Sequence, residues 1–212
     1  MISTRCCVIF VAIIILSHFS RAAHAQTEAD LLSEAAKIWE VVDGDTIDIV
    51  MADEDFLLAN VQRVRVAGMQ AMEVGKESGD QDDCHGDEAE VRLAQLLGNP
   101  IEGDAGNGNV SLRALDLAAS SRGRLLRYVF FDGGEGEFDA GRKLVKEGYA
   151  LAFPQQTETV YNVPYLLDQN IAINNGLNIW DEDECSVGPN AGAALEIYAN
   201  YDADGEDDKI LV

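Results

Sequence analysis

Five polar residues stand among short apolar runs, and their chemical types suit work on a phosphate ester. They are Asp45, Arg65, Gln70, Glu73 and Arg124. Hydrolysis of a phosphodiester builds negative charge on the phosphorus oxygens, so it needs cations, a base and usually a metal ion. The planar guanidinium of an arginine pairs with two phosphate oxygens and stays charged. The alternative is structural: both arginines lie at strand edges and Glu73 is solvated in a loop.

Turn chemistry and apolar alternation predict the elements that carry these residues. Asp43-Gly44, between Val-Val and Thr-Ile, is typical of a tight hairpin turn. The predicted strands cover 37–42, 46–51, 61–68, 109–115 and 124–131, and the predicted helices cover 87–98, 138–147 and 164–175. The first helix should turn Val91, Ala94 and Leu97 to the core. This order predicts an α+β fold, a five-stranded OB-fold barrel with about three helices, with another α+β barrel as the alternative.

Four segments, taken in order, resemble the staphylococcal nuclease (thermonuclease) family. They are Val41-Val-Asp-Gly-Asp-Thr-Ile47, Val64-Arg-Val-Ala-Gly-Met-Gln-Ala-Met-Glu73, Gly123-Arg-Leu-Leu-Arg-Tyr-Val-Phe130 and Leu177-Asn-Ile-Trp180. The resemblance spans residues 37–183. It implies a calcium-dependent phosphodiesterase or endonuclease that hydrolyses single-stranded or flexible DNA or RNA by metal-assisted attack of water.

The same resemblance implies a role for each residue of the set. The two arginines match those that stabilise the phosphorane-like transition state, and Glu73 matches the glutamate that activates or orients the water. Asp45 matches the first calcium carboxylate, while Asp43 beside it is more typical of a turn residue. The implied catalytic residues are therefore Arg65, Glu73 and Arg124, and the implied metal ligands are Asp45, Gln70 and the carbonyl of Ala71.

The chain departs from the family pattern at the metal position. The family usually has aspartate where this chain has Gln70, and proline where it has Met72. An amide oxygen can bind calcium but brings no formal charge, so we expect a weakened calcium site. The methionine should also loosen the loop that leads to Glu73. The segment 116–124 is longer than usual and lacks a tyrosine. The second hypothesis is therefore a catalytically weakened or inactive OB-fold binding or structural module.

The N-terminus has the pattern of a secretory signal peptide. Arg5 precedes an unbroken apolar run over 6–16, and Ala23-His24-Ala25 is typical of a cleavage site. The run is shorter than the roughly 20 residues that span a bilayer. We expect cleavage before Gln26 and a secreted or periplasmic monomer without a membrane partner; an uncleaved anchor is the alternative.

Removal of the signal leaves Cys84 and Cys185. Two remaining thiols in an exported chain favour one disulfide over two unpaired cysteines. Exported relatives of the resembled family often carry a cysteine at both places, which implies the Cys84–Cys185 pairing. His85 has no partner at metal-ligand spacing in the sequence and is expected to be solvated.

The remaining sequence sets the domain boundaries and the charge. We expect a signal peptide over 1–25, a linker over 26–36, the nuclease-like domain over 37–184 and an acidic linker and tail over 185–212. The tail resembles the truncated start of a lamin-tail-like β domain; a poorly ordered tail and an edge strand are the alternatives. The net charge of −23 opposes binding of a polyanion over roughly 8–10 Å in physiological salt. We interpret this acidity as an adaptation to a saline habitat.

Overall fold

The computed structural model describes residues 26–72, 84–100, 108–134, 136–181 and 183–185. The predicted signal peptide, the base Glu73 and the tail from residue 186 onward lie outside the described residues. Within the described part, the strands are β1 (Leu32–Asp43), β2 (Thr46–Met51), β3 (Gln62–Val66), β4 (Met69–Ala71), β5 (Asn109–Ala114), β6 (Ser120–Ser121), β7 (Arg124–Asp132), β8 (Glu137–Asp139) and β9 (Ala150–Ala152). The α-helices are α1 (Gly86–Leu96), α2 (Ala140–Glu147) and α3 (Asn162–Asn174).

Five strands close into a barrel, which confirms the predicted α+β, OB-fold-like class with three helices. The order is β3-β2-β1-β5-β7, and the parallel pairing of β7 with β3 closes the circle. Strand β1 is long enough to pair with β5 through its first half and with β2 through its second. Two register shifts, between Ile38 and Glu40 and between Val41 and Asp43, bend it between these partners. None of the three helices is long and apolar enough to cross a membrane, as judged over the described residues.

The barrel interior is filled by branched aliphatic side chains. Ile38, Ile47, Val64 and Leu112 all have no exposed surface. Helix α1 covers one end through Ala89, Leu93 and Leu97, which are also fully buried. The prediction that Val91 belongs to this face is wrong, because Val91 is 56% exposed. Residues 89, 93 and 97 are four apart, and this spacing places them on one stripe that excludes position 91.

A second, two-stranded sheet was not predicted from the sequence. Strand β4 pairs with β9, so that Gln70 lies opposite Leu151. Met72, directly after β4, is buried in an apolar cluster with Leu151, Ile179 and Trp180. Met72 is thus packed into the fold, and the loop that follows it, where added freedom is expected, lies outside the described residues.

The predicted disulfide is present. Cys84 immediately precedes α1 and Cys185 follows a short 3-10 segment, Asn178–Trp180; their Cα atoms are 5.8 Å apart. The bond joins residues 101 positions apart in sequence. It therefore closes a loop that contains the barrel strands β5 and β7 and all three α-helices.

Helices α2 and α3 meet at one buried carboxyl group. Asp139 caps α2 by accepting a hydrogen bond from the backbone NH of Arg142 at 3.2 Å, and it accepts a second from the hydroxyl of Tyr165 at 3.0 Å. Burial raises the pKa of Asp139 to about 7, although these donors act in the opposite direction. The folded chain therefore keeps a proton on this carboxyl up to a higher pH than the unfolded chain does.

We predict that removing the disulfide lowers the free energy of unfolding. The chain-entropy model gives about 4–5 kcal/mol as an upper figure for a loop of this length. A Cys84→Ser/Cys185→Ser variant should melt at a lower temperature than the parent, and the difference should grow at low salt, where the acidic chain repels itself most. Thermal melts at two salt concentrations test this. Two reactive thiols at these positions in the unfolded, unreduced protein would contradict the bond.

We predict that Asp139 makes the fold less stable as pH rises from about 4 to about 7. The pKa of its carboxyl is higher in the folded chain than in the unfolded one, so the folded state binds more protons in this window and unfolding becomes easier with rising pH. The Asp139→Asn variant keeps a helix-capping group but cannot titrate. Urea unfolding across the window should give a flatter pH dependence for the variant. If the free energy of unfolding depends on pH equally in the two proteins, Asp139 does not titrate with a raised pKa in the folded chain.

Candidate active site

The turn between β1 and β2 places Asp45 at the centre of the site. Asp43 accepts a hydrogen bond from the backbone NH of Asp45 at 3.0 Å, the contact expected of a turn-forming aspartate. A Cβ on Gly44 would lie 2.7 Å from the Cβ of Ala71 and 2.8 Å from that of Ala89. Glycine is therefore required here, because it lets β4 and α1 approach the turn.

Arg65 crosses the buried space between β2 and β4. Only 4% of the residue is exposed, and its guanidinium forms an ion pair with the Asp45 carboxylate. Its other terminal nitrogen donates to the carbonyl of Met69 at 3.2 Å and to the side-chain oxygen of Gln70. One guanidinium thus joins three segments that are distant in sequence.

A hydroxyl and a backbone NH also donate hydrogen bonds to the Asp45 carboxylate. The hydroxyl of Thr46 donates to Asp45 Oδ1 at 2.9 Å, and the backbone NH of Ala71 donates to Oδ2 at 3.2 Å. The side-chain amide of Gln70 donates to the Ala71 carbonyl at 3.1 Å. A buried charge that is surrounded in this way is tolerated, whereas an unpaired one is not.

The three predicted calcium ligands lie together, but their arrangement does not fit a calcium ion. Calcium takes about six to eight oxygens, most of them charged or carbonyl oxygens. Asp45 supplies the one formal negative charge of the three. Its carboxylate, the Gln70 side-chain oxygen and the Ala71 carbonyl all accept hydrogen bonds from the chain itself. A guanidinium cation already lies between Asp45 and Gln70.

Arg124 lies at the edge of this network and is more exposed than Arg65. It is half-buried, and its guanidinium donates to the Thr46 hydroxyl at 3.2 Å and to the Ser121 carbonyl at 3.4 Å. Among the described residues, no carboxylate forms an ion pair with it. Thr46 therefore links the two arginines, since its hydroxyl accepts from Arg124 and donates to Asp45. A hydroxyl residue directly after the site aspartate is the sequence signal for this link.

The surroundings of the turn are electronegative. Burial raises the pKa of the Glu90 carboxyl on α1, and the nearby charges of Asp87 and Asp43 raise it further. These carboxylates oppose the approach of an anion to the turn. Negative charge is thus also concentrated near the site, at Asp43, Asp87 and Glu90.

The structure brings Asp45, Arg65, Gln70, Ala71 and Arg124 into one connected network. The predicted base Glu73 is the remaining member, and it lies just beyond the described segment 26–72. What the network can do chemically is hold an anion at Arg124, next to a cation whose charge Asp45 already balances.

Comparison with known proteins leaves the family open. No protein-family model matches the chain. A search of curated proteins also finds no match. The resemblance to the staphylococcal nuclease family therefore rests on the quoted residues and on the barrel that carries them.

We predict that the Asp45–Arg65 pair stabilises the fold mainly because it avoids an unpaired buried charge. Arg65→Met keeps an apolar chain of similar length but leaves a buried carboxylate unpaired, and should lower the free energy of unfolding by about 3–5 kcal/mol. The Arg65→Met/Asp45→Asn double variant should recover part of that loss. Urea denaturation measures both. A single variant within about 1 kcal/mol of the parent would mean that the pair is solvated.

Proposed function

We propose that the chain is an exported nuclease that binds single-stranded or flexible DNA or RNA at Arg124 and hydrolyses its phosphodiester bonds. The observation that supports this is the position of Arg124. It is half-buried, oriented by Thr46, close to the Asp45–Arg65 pair and without a carboxylate partner among the described residues. An oriented cation of this kind stabilises charge on a phosphate oxygen better than a mobile surface arginine does.

In this proposal the two arginines have unequal tasks. Arg124 contacts the phosphate and stabilises the charge that develops on it. Arg65 keeps the Asp45 carboxylate in place and does not itself contact the phosphate, because Asp45, Met69 and Gln70 already accept from its guanidinium. Glu73 is proposed as the base that takes the proton of the attacking water. No step is assigned to calcium, because the donors described above do not form its site.

The acidity of the chain restricts what can reach this site. Salt at physiological strength limits electrostatic repulsion to about 8 Å, so a strand must approach closely before Arg124 outweighs the surrounding carboxylates. A flexible single strand can present one phosphate at a time, whereas a stiff duplex presents many charges to the acidic surface. This favours flexible nucleic acid as the partner.

A specific observation favours a second function, an OB-fold module that binds nucleic acid without cutting it. All three predicted metal oxygens accept hydrogen bonds within the chain, and Gln70 brings no charge. Binding and hydrolysis of a labelled single-stranded oligonucleotide, measured in the same sample with and without calcium, separate the two. Cutting supports the nuclease and binding alone supports the module. Absence of both refutes the two proposals.

We predict that Arg124→Gln lowers turnover by about 10²-fold, the typical effect of removing one oriented donor from a transition-state site. Arg124→Lys should recover little of it, because the planar fork is lost. Arg122→Gln, two residues away and exposed, is the matched control and should cut at nearly the parental rate. Equal activity of the two glutamine variants would make Arg124 a structural residue.

We predict that Gln70→Asp raises calcium affinity, because it restores a second carboxylate beside Asp45. Gln70→Asn is the matched control, since it shortens the side chain equally but stays neutral. Calcium titrations monitored by calorimetry measure the effect. If the aspartate and asparagine variants bind calcium equally, charge at this position is not what limits the site.

A further inference from the structure

His85 is in an unusual position for a surface loop. Its side chain is 14% exposed, so the expectation that it is solvated is wrong. Both ring nitrogens are shielded from solvent, and neither makes a hydrogen bond with any described residue. The residue also adopts a left-handed backbone conformation, with φ 64°, at the N-terminal cap of α1. Unsatisfied buried polar atoms held by a strained backbone call for an explanation, such as a ligand in another state of the protein.

The disulfide lies directly beside this ring. The Sγ atoms of Cys84 and Cys185 and a ring nitrogen of His85 all lie within 4.8 Å of one another. The carboxylate of Glu184 lies 3.3 Å from His85 Nε2. Two sulfurs and one imidazole therefore converge from two segments that are distant in sequence, and the carboxylate of Glu184 borders this group on the side of His85.

The two cysteines and the histidine would supply three of the four ligands of a zinc site, and a carboxylate is also a zinc-ligand type. Zinc is bound by four ligands in a tetrahedron, with Zn–S near 2.3 Å and Zn–N and Zn–O near 2.0–2.2 Å. In such a tetrahedron neighbouring ligand atoms are roughly 3.3–3.8 Å apart. The ring nitrogen of His85 already lies within about one ångström of that separation from the sulfurs, and the Glu184 carboxylate is 3.3 Å from His85 Nε2. The two sulfurs move apart to the same separation once they are no longer bonded to each other.

We infer that Cys84, His85, Glu184 and Cys185 form a zinc site when the disulfide is reduced. A dithiol reductant supplies two electrons and two protons, which break the S–S bond and leave two protein thiols and an oxidised, cyclic reductant. Each thiol then releases its proton as its sulfur bonds the metal. His85 binds through one ring nitrogen, and Glu184 completes the tetrahedron.

The disulfide and the zinc ion would hold the same two segments together in different redox conditions. In both states the start of α1 stays joined to the segment that follows Asn178–Trp180. The ring nitrogens of His85 make no hydrogen bond with a described residue, although the carboxylates of Glu184 and Glu88 lie 3.3 Å and 3.8 Å away. The proposal explains this, because one of the two nitrogens is a metal donor once the sulfurs are no longer bonded to each other.

The test uses the full chain with Cys6→Ser and Cys7→Ser, so that Cys84 and Cys185 are its remaining cysteines. The protein is reduced with dithiothreitol, freed of it under argon and titrated with Co²⁺, then with Zn²⁺. The reduced chain should bind one Co²⁺ with thiolate-to-metal charge-transfer bands and the intense visible bands of tetrahedral cobalt. Zinc should displace it. The oxidised chain should show neither band.

Variants separate the proposed site from adventitious binding. His85→Asn tolerates the left-handed backbone and should weaken cobalt binding by at least about tenfold, since even outer-shell partners of a metal contribute that much. Glu88→Gln, whose carboxylate lies 3.8 Å from the other ring nitrogen, is the matched control and should bind like the parent. If reduction unfolds the chain, zinc should restore its far-ultraviolet circular dichroism. Absence of cobalt binding, equal binding by His85→Asn, or failure of zinc to restore the fold would each overturn the inference.

Discussion

The burial of one ion pair, Asp45 with Arg65, constrains the rest of the molecule. Taking two charges out of water is costly, and in proteins the cost is offset only when further donors and acceptors satisfy both groups. Here the hydroxyl of Thr46, the backbone of β4 and the amide of Gln70 provide them. These contacts fix the turn between β1 and β2 against β3 and β4. The geometry of the candidate site follows from satisfying that pair.

The same contacts explain why the site differs from that of the resembled family. In the resembled family a second carboxylate at this position would attract a metal cation. Here the neutral side-chain oxygen of Gln70 accepts a hydrogen bond from Arg65 instead. The positive charge in the middle of the site is thus the guanidinium of Arg65 rather than a bound metal ion. Arg124, which balances no described carboxylate, is left as the group most suited to an external anion.

Much of the barrel could be predicted because its signals are local. The Asp-Gly turn, the alternating strands and the glycines that end helices act over a few residues, and the predicted strands and helices match the observed ones closely. The three-residue strands β4 and β9 give no periodic signal, so the sheet that fixes Gln70 was missed. The pairing of Cys84 with Cys185 was implied by the resemblance, because relatives carry cysteines at both places, but what surrounds the sulfurs depends on three-dimensional packing. The burial of His85 between them could not be read from its sequence neighbours.

The apolar cluster beneath β4 gives the molecule a built-in optical reporter. Trp180 is buried against Met72, two residues after Gln70, and lies five residues before the disulfide cysteine Cys185. Trp39, the other indole, stacks on Phe56 at 4.9 Å in a separate part of the fold. The fluorescence emission of Trp180 would therefore report structural changes both near Gln70, at the edge of the anion site, and near the disulfide. Replacing Trp39 with phenylalanine would leave that signal as the single tryptophan fluorescence of the chain.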